Sequence, residues 1–299
     1  MAEMFEENPK LLFETIQLKL AENNELPTGF EKNISEKAFL IKKLPRRETR
    51  ECLEKILMSD TAEITLRTLF RCGILKFILP ELDRCFYEKQ KNKYHIYNVG
   101  EHILHVVSGT PKILSLRWAA LLHDVGKPLC ASCDSSGVIH FYGHHSESRK
   151  IADDIAHRYG FSDELRREVC TLIEYHDVHF EQSEVGVKRA LSRMGEKQFL
   201  KLLDLQEADI RAKNPIYIEA KCKSVNNLRR ICMEVIKKGE PYRYSDLAIG
   251  RRELMKMKFR AEREMRDVLR VLFDEVVENP SLNRRDYLLS RAKALKNKR

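Results

Sequence analysis

The apolar run Ala119-Ala120-Leu121-Leu122 leads directly into His123-Asp124-Val125-Gly126-Lys127-Pro128. An imidazole and a carboxylate at the end of a buried helix are costly. An unpaired buried charge costs several kcal/mol, on the order of a whole domain's net stability. A metal ion is the usual partner for such a pair. Further ligand-type side chains follow in the order His102, His123-Asp124, His144, His176 and Asp209. Imidazoles and carboxylates together suit a borderline divalent cation: Mn, Fe, Ni, Zn or Mg. Six protein ligands exceed what one catalytic ion with open positions needs, so two ions fit better. Adjacent ligands at His123 and Asp124 let one helix end reach both, with Asp124 as the bridge. Such a pair lowers the pKa of a bound water and clamps a phosphoryl group from two sides. Lys127, about one turn further on, is placed to meet a phosphate oxygen. The expected metal ligands are therefore His102, His123, Asp124, His144, His176 and Asp209, and the expected catalytic residues Asp124 and Lys127.

Helical periodicity positions these groups. Val99, His102, Ile103 and Val106 recur at i, i+3, i+4 and i+7, and Leu116, Ala119, Ala120 and His123 repeat the pattern. Leu165, Val169, Leu172, Ile173 and His176 form a third set, and Leu202, Leu205 and Asp209 a fourth. In each the ligand-type residue lies on the apolar stripe. Gly143 breaks the pattern before His144, which sits at a helix start, and the Ser/Asp/Gly-rich stretch Cys130–Gly137 reads as a flexible loop. Upstream, residues 8–57 read as two helices separated at Pro27-Thr28-Gly29. Asp60-Thr61-Ala62-Glu63 reads as a capping box, opening a helix that stops at Gly73. Pro80 divides the apolar run Ile74–Leu82, and residues 86–93 read as a polar linker. Residues 1–85 show no chemistry of their own.

Gly and Pro are scarce, 12 and 9 in 299 residues, and 43% of residues are hydrophobic. This composition favours an all-α protein: a multi-helix bundle flanked by smaller N- and C-terminal helical layers. The expected divisions are 1–85, 86–215 and 216–299. No run of about 18 apolar residues is present, so no membrane span or membrane partner is expected. The acidic N-terminus has no apolar signal region, which points to a cytoplasmic protein. Its eight cysteines then read as reduced thiols. Only Cys130-x-x-Cys133 has metal-ligand spacing, and without a second pair it does not make a zinc ribbon. The net charge of +9 is concentrated late in the chain: residues 251–270 carry eight Lys/Arg against four Asp/Glu, and residues 281–299 seven against one. Arg251, Arg252, Lys256, Lys258 and Arg260 are the expected nucleic-acid contacts, the alternative being a solvated helical face.

The residue order His102, His123-Asp124, His144, His176, Asp209 resembles the HD superfamily of metal-dependent phosphohydrolases. Tyr97–His102, Ala120–Pro128, Phe141–His144 and Leu205–Asn214 look like the HD domain of bacterial CCA-adding tRNA nucleotidyltransferases. Leu53–Leu57, Gly73–Leu82, Asp246–Met255 and Pro280–Leu289 resemble that family's flanking helices. The resemblance implies an HD-domain bundle in which His102, His123, Asp124 and Asp209 hold one ion and Asp124, His144 and His176 the other. It also implies phosphodiesterase and phosphatase activity, including on 2′,3′-cyclic phosphates, by in-line attack of a hydroxide held between the ions. His145, Asp177 and His179 are spare acid/base groups. The sequence departs from the family in two ways. It has neither the Gly-Ser pair nor the Asp-x-Asp motif of the nucleotidyl-transfer head, so CCA addition is not expected of it. Lys256–Glu262 replaces a Gly/Pro-rich turn, which removes the basis for carrying tRNA contacts over from that segment.

Two functions follow. One is a metal-dependent phosphohydrolase acting on a nucleotide or RNA-end phosphoester, with base recognition left to loops such as Cys130–His140 and Asp177–Gly186. The other is a non-catalytic tRNA- or RNA-binding subunit, a remnant of a CCA-adding nucleotidyltransferase. A homo-oligomer is compatible with either.

Overall fold

The computed structural model describes residues 2–23, 26–27, 29–90 and 94–297. Among them the chain is all-α except for one two-stranded hairpin, and no helix is long and apolar enough to cross a membrane. The chain divides into two compact units, residues 1–178 with 201–222, and residues 179–200 with 223–299.

The first unit begins with α1 (Ala2–Glu7), α2 (Leu11–Asn23), α3 (Phe30–Lys37), a 3-10 segment (Ala38–Lys43), α4 (Arg46–Leu57), α5 (Ala62–Arg71), α6 (Leu75–Ile78) and α7 (Pro80–Cys85). The two helices expected over residues 8–57 are thus more finely divided. Leu44 before Pro45 is extended, with ψ 131°, as the proline ring requires of its predecessor, so α4 starts afresh. Thr28 of the expected break, and residues 91–93 of the expected linker, lie outside the described residues.

The expected capping box at Asp60–Glu63 does not form. Thr61 makes no side-chain cap. Glu63 is taken by Arg67 (2.8 Å) and the Ser108 hydroxyl (2.7 Å), and Asp60 by Lys112 (2.5 Å). Arg67 one turn along the same helix, and Ser108 and Lys112 from further along the chain, have outcompeted the helix's own N–H groups. The stop at Gly73 does form: its φ is +67°, and the Ile74 N–H reaches back to the Leu69 carbonyl, closing the helix in the left-handed geometry glycine allows.

The bundle proper follows: α8 (Val99–Gly109), α9 (Leu114–Leu122), α10 (Lys127–Cys130), β1 (Ser132–Cys133), β2 (Ile139–His140), α11 (His144–Arg158) and α12 (Asp163–Tyr175). Asn98 caps α8 by accepting from the Glu101 N–H at 2.7 Å, and Ser162 caps α12. α5 packs on α8, α8 on α9, and α12 on both α9 and α11. Arg158 at the end of α11 makes a double-pronged ion pair with Glu81 of α7, at 2.9 and 3.0 Å. The stretch expected as a loop folds back as an antiparallel hairpin, pairing Ser132 with His140 and Cys133 with Ile139. Asp134 organises its turn, accepting from the Ser136 and Val138 N–H groups.

The remaining helices are α13 (Glu184–Met194), α14 (Glu196–Arg211), α15 (Ile218–Lys238), α16 (Arg251–Lys256), α17 (Glu262–Glu278) and α18 (Arg285–Asn297). Residues 201–222 of α14 and α15 belong to the first unit. In the second unit the core centres on Leu254, Phe259, Leu272, Val276 and Leu288. The five predicted nucleic-acid contacts, Arg251, Arg252, Lys256, Lys258 and Arg260, are all exposed there, and Arg251 pairs with Glu262 at 2.9 Å. Lys258 has φ +63°, so it occupies a left-handed turn position that suits glycine better.

Gly100 shows how tightly the bundle closes on the N-terminal helices. A Cβ there would stand 2.5 Å from Cγ of Phe86, whose ring stacks on Phe70 with centroids 3.9 Å apart. Gly100→Ala should therefore overpack the start of α8 and lower stability by roughly 1–3 kcal/mol, measured by urea denaturation; an unchanged midpoint would contradict this packing.

Candidate metal centre

Five elements bring the expected ligands together. His102 comes from α8. His123 and His176 are the residues that end α9 and α12, with the same backbone angles, φ −60° and ψ −33°. His144 opens α11, and Asp209 lies in the last turns of α14. Asp124 follows His123 and is 1% exposed; His102 and His123 are fully buried.

The orientation of the imidazoles is set by the backbone. Nδ1 of His123 lies 2.8 Å from the Ala120 carbonyl, Nδ1 of His144 2.9 Å from that of Phe141, and Nδ1 of His176 2.7 Å from that of Ile173. A carbonyl only accepts, so Nδ1 carries the proton and neutral Nε2 is left as a lone-pair donor aimed inward. His102 has the same arrangement, with Nδ1 3.3 Å from the Ala212 carbonyl.

The four Nε2 atoms divide between the oxygens of Asp124. Oδ2 lies 3.5 Å from Nε2 of His102 and 3.2 Å from that of His123. Oδ1 lies 3.3 Å from Nε2 of His144 and 3.7 Å from that of His176. Asp124 is thus common to two triads, His102-His123-Asp124 and Asp124-His144-His176, each with ligand atoms within 4.8 Å of one another. Asp209 joins the first through Oδ1, 3.0 Å from Nε2 of His102 and 3.8 Å from that of His123.

Several of these contacts set acceptor against acceptor. Nε2 of His144 and Nε2 of His176 are 3.3 Å apart. Nε2 of His123 and both oxygens of Asp124 are buried and make no hydrogen bond of acceptable geometry among the described residues. Neutral His102 has one proton and two acceptors, so either its Ala212 or its Asp209 contact is also lone pair to lone pair. Two ligands ~2.1 Å from one ion at a right angle stand about 3.0 Å apart, and the observed spacings fall at and somewhat above that value. The donor set, the burial and the unsatisfied atoms therefore fit divalent cations.

Two lysines complete the electrostatics. Lys127 is 5% exposed, with Nζ 2.6 Å from Asp124 Oδ2 and 2.8 Å from Gln90 Oε1. Its ammonium is engaged inside the site, and Gln90, expected in a solvated linker, is buried as its partner. Nζ of Lys213 lies 2.5 Å from Asp209 Oδ2. Burial alone would raise the pKa values of both aspartates. Lys127 at Asp124, and Lys213 at Asp209, oppose it, and both carboxyls are held well below the usual carboxylate range. Burial keeps the His102 imidazole neutral. His95, whose ring meets His102 edge-on at 5.4 Å, has its pKa pushed down to about 2 by burial and by Lys127.

Above the centre opens a cleft of about 630 Å³, within the range of small-ligand sites. Asp124, Lys127, His144, His176, Asp209 and Lys213 line it, as do Tyr94, Tyr142 and the spare groups His145 and Asp177. His179 belongs to the second unit. Reading residue types alone missed Gln90, His95 and Lys213. Only Lys213 carried a local signal, four residues after Asp209 on one helix face.

Two further contacts hold the ligand helices in place. The Gln206 amide donates to the carbonyls of His176 and Val178, both at 3.0 Å. Gly126 packs against the first turns of α11: a Cβ there would lie 2.5 Å from the Ser148 nitrogen and 2.8 Å from the His144 carbonyl oxygen. The Gly126 N–H also donates to the Ser148 hydroxyl at 2.9 Å. Glycine at this position is what lets the ends of α9 and α11 meet at Asp124.

Residues 93–221 match the HD domain family, and residues 26–86 match the family described as "Probable RNA and SrmB- binding site of polymerase A". Over 97 residues the chain is 38% identical to the multifunctional CCA protein of Azoarcus sp. (strain BH72), covering 31% of this chain and 23% of that protein. It is 30% identical to the multifunctional CCA protein of Cupriavidus necator over 183 residues, 57% of this chain and 43% of the relative. With that of Pseudomonas aeruginosa the identity is 29% over 136 residues, 44% and 32% of the two chains. The chain thus carries an HD-type region resembling that of CCA proteins, and the matches span less than half the length of these relatives. The N-terminal match covers residues 26–86, a stretch in which the residue types by themselves showed no chemistry.

Gly126→Ala should displace the start of α11 and weaken Mn or Ni binding by roughly 10- to 100-fold, the usual cost of disturbing the support of a ligand. Equilibrium dialysis alongside circular dichroism checks this; parent-like affinity would show that α11 is not positioned by this contact.

Proposed function

We propose that the chain is a metal-dependent phosphohydrolase acting on phosphoesters of nucleotides or RNA ends. The observation that carries this reading is the buried Asp124 carboxylate, which presents one oxygen to each of two histidine pairs whose Nε2 atoms converge on it. In this reading residues 86–215 carry the hydrolytic site, residues 1–85 form a helical body, and residues 216–299 a basic helical region.

His102, His123, Asp124 and Asp209 would hold one ion, and Asp124, His144 and His176 a second. When bound, the pair supplies Lewis acidity at the phosphoryl oxygens and a water of lowered pKa. The chain's own residues do the rest. The carbonyls of Ala120, Phe141 and Ile173 fix the imidazole tautomers and their aim, so no ring must turn during turnover. Lys127 keeps Asp124 ionised and in register. Its ammonium also borders the cleft, where a phosphate oxygen can share it. Lys213 does the same for Asp209. Walls of buried helix restrict water, which strengthens these charges on an entering phosphate.

The test is a panel of 2′,3′-cyclic nucleotides and phosphomonoesters with added Mn, Ni or Mg. Hydrolysis should be abolished by chelation. It should fall roughly a thousandfold or more in the double variant His123→Ala, Asp124→Ala. Parent-like turnover by that variant overturns the reading.

The match of residues 26–86 to an RNA-binding family favours a second reading, a tRNA- or RNA-binding role, with the exposed basic residues 251–260 as further phosphate contacts. The two roles are compatible, because an RNA end could be both ligand and substrate. Affinity for tRNA should fall linearly on a log–log plot against salt. Changing Arg251, Arg252, Lys256, Lys258 and Arg260 together to Gln should lower the slope by roughly 0.7–0.9 for each phosphate no longer neutralised. A slope and affinity equal to the parent's would remove these residues from the interface.

A further inference from the structure

The hairpin beside the metal centre has no part in holding it, yet its turn and its rings are tied down by a continuous set of hydrogen bonds. We infer that it is a base-recognition arm: Tyr142, backed by His140, forms a stacking platform for the nucleobase of a substrate whose phosphoester lies at the centre below. This rests on the phosphohydrolase reading and names the residue that selects the substrate's non-reacting part.

Tyr142 is 77% exposed, a large aromatic ring in solvent at the edge of the cleft that it lines. It is held there by a chain of contacts. Its ring lies parallel to that of His140, with 5° between the planes and 5.2 Å between centroids. The Tyr142 hydroxyl is 3.4 Å from His140 Nδ1. The other ring nitrogen, Nε2, lies 2.7 Å from Asp134 Oδ2, and Asp134 is itself anchored by the Ser136 and Val138 N–H groups. The offset neighbour covers the tyrosine ring only in part, and at 77% exposure most of the residue stands open to solvent. A preorganised ring with an open face binds a flat π-system at little entropic cost, and every nucleobase presents one.

Position supplies the second half of the inference. Tyr142 stands two residues before His144, and Gly143, with φ +76°, turns the chain between them. Two residues span at most ~7 Å of backbone. Tyr142 and His144 line the same cleft, so a base stacked on the one and a phosphoester near Nε2 of the other can belong to one bound nucleotide. The cleft also carries the ammonium groups of Lys127 and Lys213 for the phosphate, and its floor is the ligand set itself, which leaves the rim for the base.

The experiment compares 2′,3′-cyclic AMP with a base-free ester, glycerol 1,2-cyclic phosphate, on metal-loaded full-length protein. Tyr142→Ala should collapse the discrimination in KM between the two esters by roughly 5- to 100-fold, the range of one base–aromatic stack. Tyr142→Phe and Tyr142→Trp should restore it. Equal losses on both esters, or an unchanged ratio, overturn the proposal while leaving the hydrolytic reading intact. If the parent hydrolyses neither ester, the hydrolytic reading fails by itself. AMP binding measured by calorimetry, which needs no turnover, then decides the platform: weakened in Tyr142→Ala and retained in Tyr142→Phe if it exists, equal in all three if it does not. A short RNA ending in a 2′,3′-cyclic phosphate, run beside the free nucleotide, identifies the source of the base. The one with the higher kcat/KM in the parent must also show the Tyr142→Ala loss.

Discussion

A carboxylate with no access to water cannot remain charged without partners, and Asp124 is such a carboxylate. Satisfying it organises the first unit. The ends of α9 and α12, the start of α11 and the inner face of α8 converge on its two oxygen atoms, and α14 brings Asp209 against His102 and His123. Lys127, three residues on, supplies the nearest positive charge. Gly126 is bare so that α11 can approach, and Gln206 ties α14 to the carbonyls at the end of α12. Contacts that would look like ordinary packing are in effect the tolerances of one charged site.

The helix ends do more than deliver side chains. At His123, His144 and His176 the ring bonds to a carbonyl three residues earlier. At His123 and His176 those are among the carbonyls a helix leaves unpaired at its C-terminus. The same bond settles a helix terminus, fixes a tautomer and points a lone pair. That economy suits ligands that sit at helix ends, where each ring is oriented by the backbone. The cleft above the centre is otherwise: just past the hairpin, Tyr142 stands exposed at its edge rather than buried as a ligand.

Similarity to CCA proteins follows the same division. The family matches fall in two places, residues 93–221 with the HD domain and residues 26–86 with the RNA-binding family. The two matches are compatible with the proposed function, since a nucleic-acid end offers both the phosphate such a site would cleave and the backbone that basic surfaces would hold.

From the sequence by itself came the all-α class and the inward aim of His102, His123, His176 and Asp209, because a helix repeats every 3.6 residues and a ligand on the apolar stripe must face inward wherever that helix packs. The stops at Gly73 and before His144 were legible for the same reason: left-handed backbone and its glycine are local. What required the tertiary structure was the identity of each partner. Glu63 could cap its own helix or pair with Arg67 and Ser108, Lys127 could face solvent or Asp124, and Gln90 could be linker or site. Those choices turned on how the helices pack, with Ser108 45 residues from Glu63 and Gln90 37 residues from Lys127. The hairpin at Asp134, and the edge-on seat of His95 against His102, belong to the same class. Periodicity tells which way a side chain points; only the packed chain tells what it meets there.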